Sequence, residues 1–221
     1  MNAADEEEDE ETQAFRATAR LQASEDVPPF YPYSGTEEER NRISRVDDSL
    51  FLTNWRGVEQ LAEMQKLGIT HVLNVNGGEE DNKYVGSFEY MNIDDVTDDE
   101  DQAMKLKGHF EAANTFIDAA VAGGGKAVVH CAAGISRSTT IVLAYLMHHH
   151  GISLLDAFTQ VYSSRRVVWP NNGFMARLIE LESATTGTTT IDLEVYTRWG
   201  NFDSQAYAAA RVVDRGGHGY S

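Results

Sequence analysis

Two hydrophobic rhythms alternate along the chain. "SLFLTN" (Ser49 to Asn54), "THVLNV" (Thr70 to Val75), "FEYMNI" (Phe88 to Ile93) and "KAVVHC" (Lys126 to Cys131) are short runs rich in apolar, β-branched or aromatic residues, and each reads as a strand. Between them the spacing turns helical. "GVEQLAEMQKLG" puts Val58, Leu61, Met64 and Leu67 on one side, with Gly68 as the stop. A long helix is predicted from about Asp101 to Val121, closed by Gly123, Gly124 and Gly125, with Met104, Phe110 and Phe116 in the core. Further helices are predicted over Arg137 to His149, Ser153 to Ser163 and Asn172 to Ser183. Strands alternating with helices predict an α/β fold whose mostly parallel central sheet is covered on both faces.

The rhythm fades at both ends. Residues 1–26 read as an acidic disordered tail, because "DEEEDEE" (Asp5 to Glu11) holds seven acids and no base. Such a run serves either as a solubilising tail or as an autoinhibitory or partner-binding arm. Residues 27–184 form the expected folded domain, and 185–221 a partly flexible extension. In that extension "DLEVYTRW" and "QAYAAARVV" are read as one strand and one helix.

Charge narrows the function. The formal net charge is −17, so neither nucleic acid nor an anionic membrane is an expected partner. No apolar run approaches the roughly 20 residues of a membrane span. The acidic start lacks the apolar centre of a signal peptide. The single cysteine allows no internal disulfide, which fits a reducing compartment. An intracellular protein, cytoplasmic or nuclear, is expected.

That cysteine sits at the most informative point. Cys131 ends an apolar strand, "AAGISR" follows, and a helix begins near Arg137. Ala132, Ala133 and Gly134 are small, so the backbone can curl until successive amides converge at a helix N-terminus. Such a cradle binds an anion, and a thiol facing it is favoured as the nucleophilic thiolate. Arg137 can grip two oxygens of a tetrahedral anion. A buried structural cysteine is the plain alternative, but it leaves the small-residue loop and the arginine unexplained. The Walker pattern lacks its Gly-Lys-Ser/Thr end here.

"HCAAGISRS" resembles the Cys-x5-Arg signature of the protein tyrosine phosphatase superfamily, in the form found in dual-specificity phosphatases. "KLGITHVLNV" and "WPNNGFMARLIELE" resemble that family's flanking segments. The resemblance implies the family's three-layer fold and metal-free, cofactor-free hydrolysis of phosphotyrosine and phosphoserine/threonine in proteins. MAP kinases enter as substrates by analogy. It makes Cys131 the nucleophile, and Arg137 with the amides of Ala132, Ala133, Gly134, Ile135 and Ser136 the phosphate binders. Ser138 would hydrogen-bond the thiolate, His130 would order the loop, and Asn171 would support it.

The family also supplies a general-acid aspartate from an upstream loop, which here reads "NIDDVTDDEDQ". Family spacing favours Asp95, with Asp94 and Asp98 open. Arg166 is a candidate contact for a second phosphate or flanking acids, and Arg165 either shares that role or complements a helix end. His148, His149 and His150 suggest metal at a glance, but consecutive residues point around a helix. The rival readings are a relative acting on a lipid, an RNA 5′ end or a glucan, and a phosphoprotein-binding module. The uncharged Ala132, Ala133 and Ile135 count against the lipid reading, and the intact Cys131–Arg137 pair counts against the binding module. Reversible oxidation of the lone thiol would need a backbone sulfenamide or a foreign thiol.

Overall fold

A central five-stranded sheet carries the molecule, in the order β1-β2-β5-β3-β4. The computed structural model describes residues 28–76 and 82–202. Its strands are β1 (Ser44–Arg45), β2 (Leu50–Asn54), β3 (His71–Asn74), β4 (Glu89–Asn92) and β5 (Ala127–Cys131). Only the β1–β2 pair is antiparallel; β2–β5, β5–β3 and β3–β4 are parallel. The helices are α1 (Glu37–Asn41), α2 (Leu61–Leu67), α3 (Ala103–Gly108), α4 (Phe110–Ala122), α5 (Arg137–His150), α6 (Leu154–Ser164), α7 (Asn172–Thr186) and α8 (Leu193–Gly200).

Strand alternation sorts side chains between two layers. Leu50, Leu52, Leu73, Val129 and Cys131 face one side and join the large core formed with α3 to α8. Phe51, Val72 and Val128 face the other side and pack with Met64 of α2. The result is three layers, helices–sheet–helix, as expected for parallel strands buried on both faces. Each such fully buried Leu, Val or Phe contributes about 1.5–3 kcal/mol, so the frame holding Cys131 is rigid. Helix α5 runs through the large core and is buried from Arg137 to Met147. An α/β sheet of this kind places its site beyond the carboxyl ends of the strands, and Cys131 is the last residue of β5.

Three sequence expectations change. The long helix is two, α3 and α4, preceded by a 3₁₀ turn at Glu100–Gln102. Gly108 weakens the helix where the chain turns from packing on α7 to packing on α5. Met104 is 61% exposed, because the buried side of short α3 carries Ala103 and Leu106. "DLEVYTRW" is helical rather than extended. The Asp192 side chain caps Val195 N–H, and Leu193, Tyr196 and Trp199 fall on one packed side. The acidic tail, residues 1–26, and "QAYAAARVV" lie outside the described residues.

Candidate active site

Cys131 is 2% exposed, and its Sγ accepts hydrogen bonds from Gly134 N–H at 3.2 Å and Ser138 Oγ at 3.2 Å. Ser138, the second residue of α5, is fully buried and caps nothing; its hydroxyl is turned on the sulfur. The sulfur is thus held as a double hydrogen-bond acceptor at the base of the loop.

The loop after Cys131 is clamped from outside, carbonyl by carbonyl. Ala132 O accepts from Trp55 N–H at 3.4 Å, and Ala133 O from Arg165 Nη2 at 3.4 Å. Gly134 O accepts from Arg165 Nε at 2.9 Å, and Ile135 O from Trp169 N–H at 2.8 Å. Ser136 O accepts from Thr140 N–H at 2.9 Å inside α5. In a trans peptide the C=O and N–H point in opposite directions. Holding these carbonyls outward therefore turns the amides of Ala133, Gly134, Ile135, Ser136 and Arg137 inward. The Gly134 N–H bond to sulfur shows that turn directly. Gly134 itself has φ +65°, and a Cβ there would lie 2.4 Å from Thr53 O, so no other residue fits.

Arg137 is 4% exposed at the first position of α5. Its Nη1 donates to Val96 O at 3.3 Å, while its Nε meets no acceptor among the described residues. A buried guanidinium with an open donor beside convergent amides suits a phosphate.

Arg165, read from sequence as a second-phosphate contact or a helix-end complement, instead braces the phosphate loop. It is 1% exposed and gives every guanidinium hydrogen bond to backbone. Besides Ala133 and Gly134 it reaches Glu39 O (3.3 Å), Arg40 O (2.7 Å) and Arg42 O (3.1 Å). Burial, partly offset by the charge of Cys131, lowers its pKa to about 10, so it stays cationic at neutral pH. It ties α1 to the phosphate loop and places a fixed positive charge behind the thiol. The signal available in sequence was indirect: a loop of outward carbonyls needs donors from elsewhere. Arg166, the residue favoured from sequence, is exposed, and its guanidinium rests over the rings of Tyr162 (4.8 Å) and Tyr31 (6.0 Å).

The acid loop separates the three candidate aspartates by their contacts. Asp95 does not turn to the phosphate loop. Its carboxylate contacts His109 Nε2 at 2.8 Å and lies 4.0 Å from Lys105 Nζ. Asp98 is the residue connected to the loop. Asn171 Nδ2 donates to Asp98 Oδ1 at 3.1 Å, while Asn171 N–H donates to Ser136 Oγ at 3.0 Å. Asn171 also caps α7 through Oδ1 and Phe174 N–H at 2.9 Å. Gly173 lets α7 approach this loop, since a Cβ there would lie 2.4 Å from Glu100 O. The Asp94 carboxylate is exposed.

His130 is 3% exposed, with Nδ1 unpartnered among the described residues. Burial pushes its pKa down to about 4, against a smaller opposing effect of its hydrogen bond with the Cys131 backbone. The ring is neutral at physiological pH, which suits packing rather than proton transfer. His149 and His150 diverge, one to Asp118 (3.0 Å) and the other to Asp47 (3.4 Å). Beside Ala132 and Ala133 opens a groove of about 460 Å³ lined by Glu37, Arg40, Trp55 and Arg56.

A buried thiol, a ring of inward amides and an arginine at the carboxyl end of a parallel strand define a cysteine-based phosphatase site. Residues 50–184 match the family model of the dual specificity phosphatase catalytic domain, and the chain belongs to that family. It is 36% identical to dual specificity protein phosphatase 26 of Bos taurus, covering 64% of this chain and 68% of that protein. It is 37% identical to dual specificity protein phosphatase PHS1 of Arabidopsis thaliana, over 67% of this chain but 16% of that larger protein. Human DUSP28 has a solved structure similar to this one, with TM-score 0.61, 33% identity, and coverage of 70% of this chain and 97% of that one.

Proposed function

We propose that this chain hydrolyses phosphotyrosine and phosphoserine/threonine in proteins, without metal, through a cysteinyl-phosphate intermediate. One observation carries the reading: Cys131 Sγ receives Gly134 N–H and Ser138 Oγ while the carbonyls of its loop are held outward. The Cys131 thiolate attacks phosphorus. The amides of residues 133–137 and the Arg137 guanidinium hold the equatorial oxygens. The bond from phosphorus to the substrate oxygen breaks, and Asp98 gives that oxygen a proton. Water then attacks the phosphocysteine, Asp98 takes its proton, and inorganic phosphate leaves. The thiolate departs into the hydrogen bonds of Ser138 and Gly134.

Phosphorylated proteins are the substrate class, and a MAP kinase is one candidate within it by family analogy. An intracellular setting keeps the thiol reduced. Among the described residues no helix is long and apolar enough to cross a membrane.

The test is hydrolysis of an aryl phosphate and of phosphopeptides with EDTA present. Wild type is expected to turn over and Cys131→Ser to be inactive. Asp98→Asn is expected to lose about 100-fold or more on phosphoserine peptides, and Asp95→Asn to stay within about twofold, since Asp95 faces His109. Metal-dependent turnover, or turnover by Cys131→Ser, would overturn the mechanism. Equal losses in the two aspartate variants would overturn the assignment of Asp98.

A further inference from the structure

Helix α8 lies outside the matched region, 50–184, yet it grips the strip that registers the two catalytic loops. That strip is Trp169-Pro170-Asn171-Asn172. Trp169 N–H holds Ile135 O, and Asn171 holds both Ser136 Oγ and Asp98. From the other side, the Tyr196 ring stacks on Trp169 with centroids 4.5 Å apart and planes within 8°. Tyr196 Oη donates to Pro170 O at 2.7 Å, and Thr197 Oγ1, which has Leu193 O at 2.8 Å as its nearer acceptor, lies 3.4 Å from Asn172 Oδ1. The backbone at Gly200 packs against the Trp169 ring.

Helix α8 is itself fixed. Asp192 caps it, and Ile191 before it is 2% exposed. The buried Glu182 carboxylate accepts from Leu154 N–H, Thr190 N–H and Thr190 Oγ1, at 2.8, 2.7 and 2.7 Å, which pins the turn leading into α8. At its far end Trp199 packs on Phe30 at 5.7 Å. These contacts make α8 a rigid backstop.

We infer that α8 is part of the catalytic apparatus, with Tyr196 as a positioning residue that sets the Asn171–Asp98 unit against the phosphate loop. Proline has no N–H, so the carbonyl is the polar backbone group of Pro170, and a buried carbonyl without a donor shifts to find one. Tyr196 supplies that donor from a fully buried position. Burial raises its pKa well above 10, so the phenol keeps its proton at any pH where the enzyme would work. Without the bond, Pro170 is free to shift, and Asn171 with it. Asp98 then loses register with the leaving oxygen. The inference rests on the phosphatase reading above.

The experiment uses the full chain, wild type against Tyr196→Phe and Thr197→Val. The readout is kcat/KM over aryl phosphates of graded leaving-group basicity and a phosphoserine peptide, normalised to the phosphocysteine-forming fraction. Tyr196→Phe keeps the stack and removes only the hydroxyl, so folding is expected to survive. It is expected to lose about tenfold on the phosphoserine peptide and less than about twofold on the most activated aryl phosphate, with Thr197→Val a weaker copy. A merely structural role would lower the active fraction and leave the leaving-group dependence unchanged. Equal losses across the series, or none, would overturn the inference. Wild type without Cys131-dependent turnover would instead defeat the phosphatase reading.

Discussion

The phosphate loop and the acid loop face the same chemistry but are built in opposite ways. From Ala132 to Ser136 each loop carbonyl has a donor. Its thiol, arginine and serine are buried. The acid loop is exposed from Thr97 to Asp101, and its candidate acid has Asn171 as its principal side-chain tie to the loop. A group that binds charge gains from fixed dipoles in a dry site. A group that hands over a proton and takes one from water must meet solvent and move. The difference in burial is a division of labour.

Substitutions that touch the rigid side should therefore cost most. Gly134→Ala places a Cβ at φ +65° and 2.4 Å from Thr53 O, so the loop must rebuild. A loss of about 1,000-fold in kcat/KM is expected for activated and unactivated leaving groups alike. Circular dichroism and thermal melting should show the fold retained. A loss confined to unactivated substrates would mean that the loop tolerates the change.

Arg165→Lys is next. Lysine keeps the charge but cannot reproduce a fork that spans Glu39, Arg40, Arg42, Ala133 and Gly134 carbonyls. A loss of about 100-fold in kcat/KM is expected, with a melting temperature lower by several degrees. Arg166→Ala, by contrast, should change aryl phosphate turnover by less than about twofold. Steady-state kinetics of the pair decides whether the buried or the exposed arginine serves the site.

This contrast also explains what could be read in the sequence. Cys131 and Arg137 were legible because a strand end, a loop and a helix start are contiguous, so spacing alone sets their geometry, whereas Ser138 came from the family resemblance. The parallel sheet was legible from its apolar runs. Arg165, Trp55 and Trp169 act on the loop through backbone groups brought together by folding, and such contacts leave no periodic trace. Asp98 stayed one of three open candidates because six acids crowd one stretch, and spacing cannot tell which faces Asn171. Helix α8 was misread because its Val195 and Tyr196 favour strands, whereas the Asp192 cap and the packing of Leu193, Tyr196 and Trp199 decide for helix.

The smallest effect at neutral pH belongs to His130, the residue before the nucleophile. Its folded pKa is about 4, against 6.5 for the free side chain. Below pH 6.5 the unfolded chain binds a proton that the native ring refuses, so stability falls as pH falls. The loss begins near pH 6.5 and levels off near pH 4, reaching about 3 kcal/mol. Above pH 7 the ring is neutral in both states and the term vanishes. Urea unfolding of wild type and His130→Gln across pH 4 to 7 isolates the term, because the carboxylates are common to both. The stability advantage of wild type over the variant is expected to shrink steadily toward acid. Proton NMR of the native protein should show a ring that does not titrate near 6.5. A constant difference between the two proteins, with a ring titrating near 6.5, would mean that water reaches His130. The strand end beneath the nucleophile would then be as open as the acid loop, and the contrast between the two sides would fail at its centre.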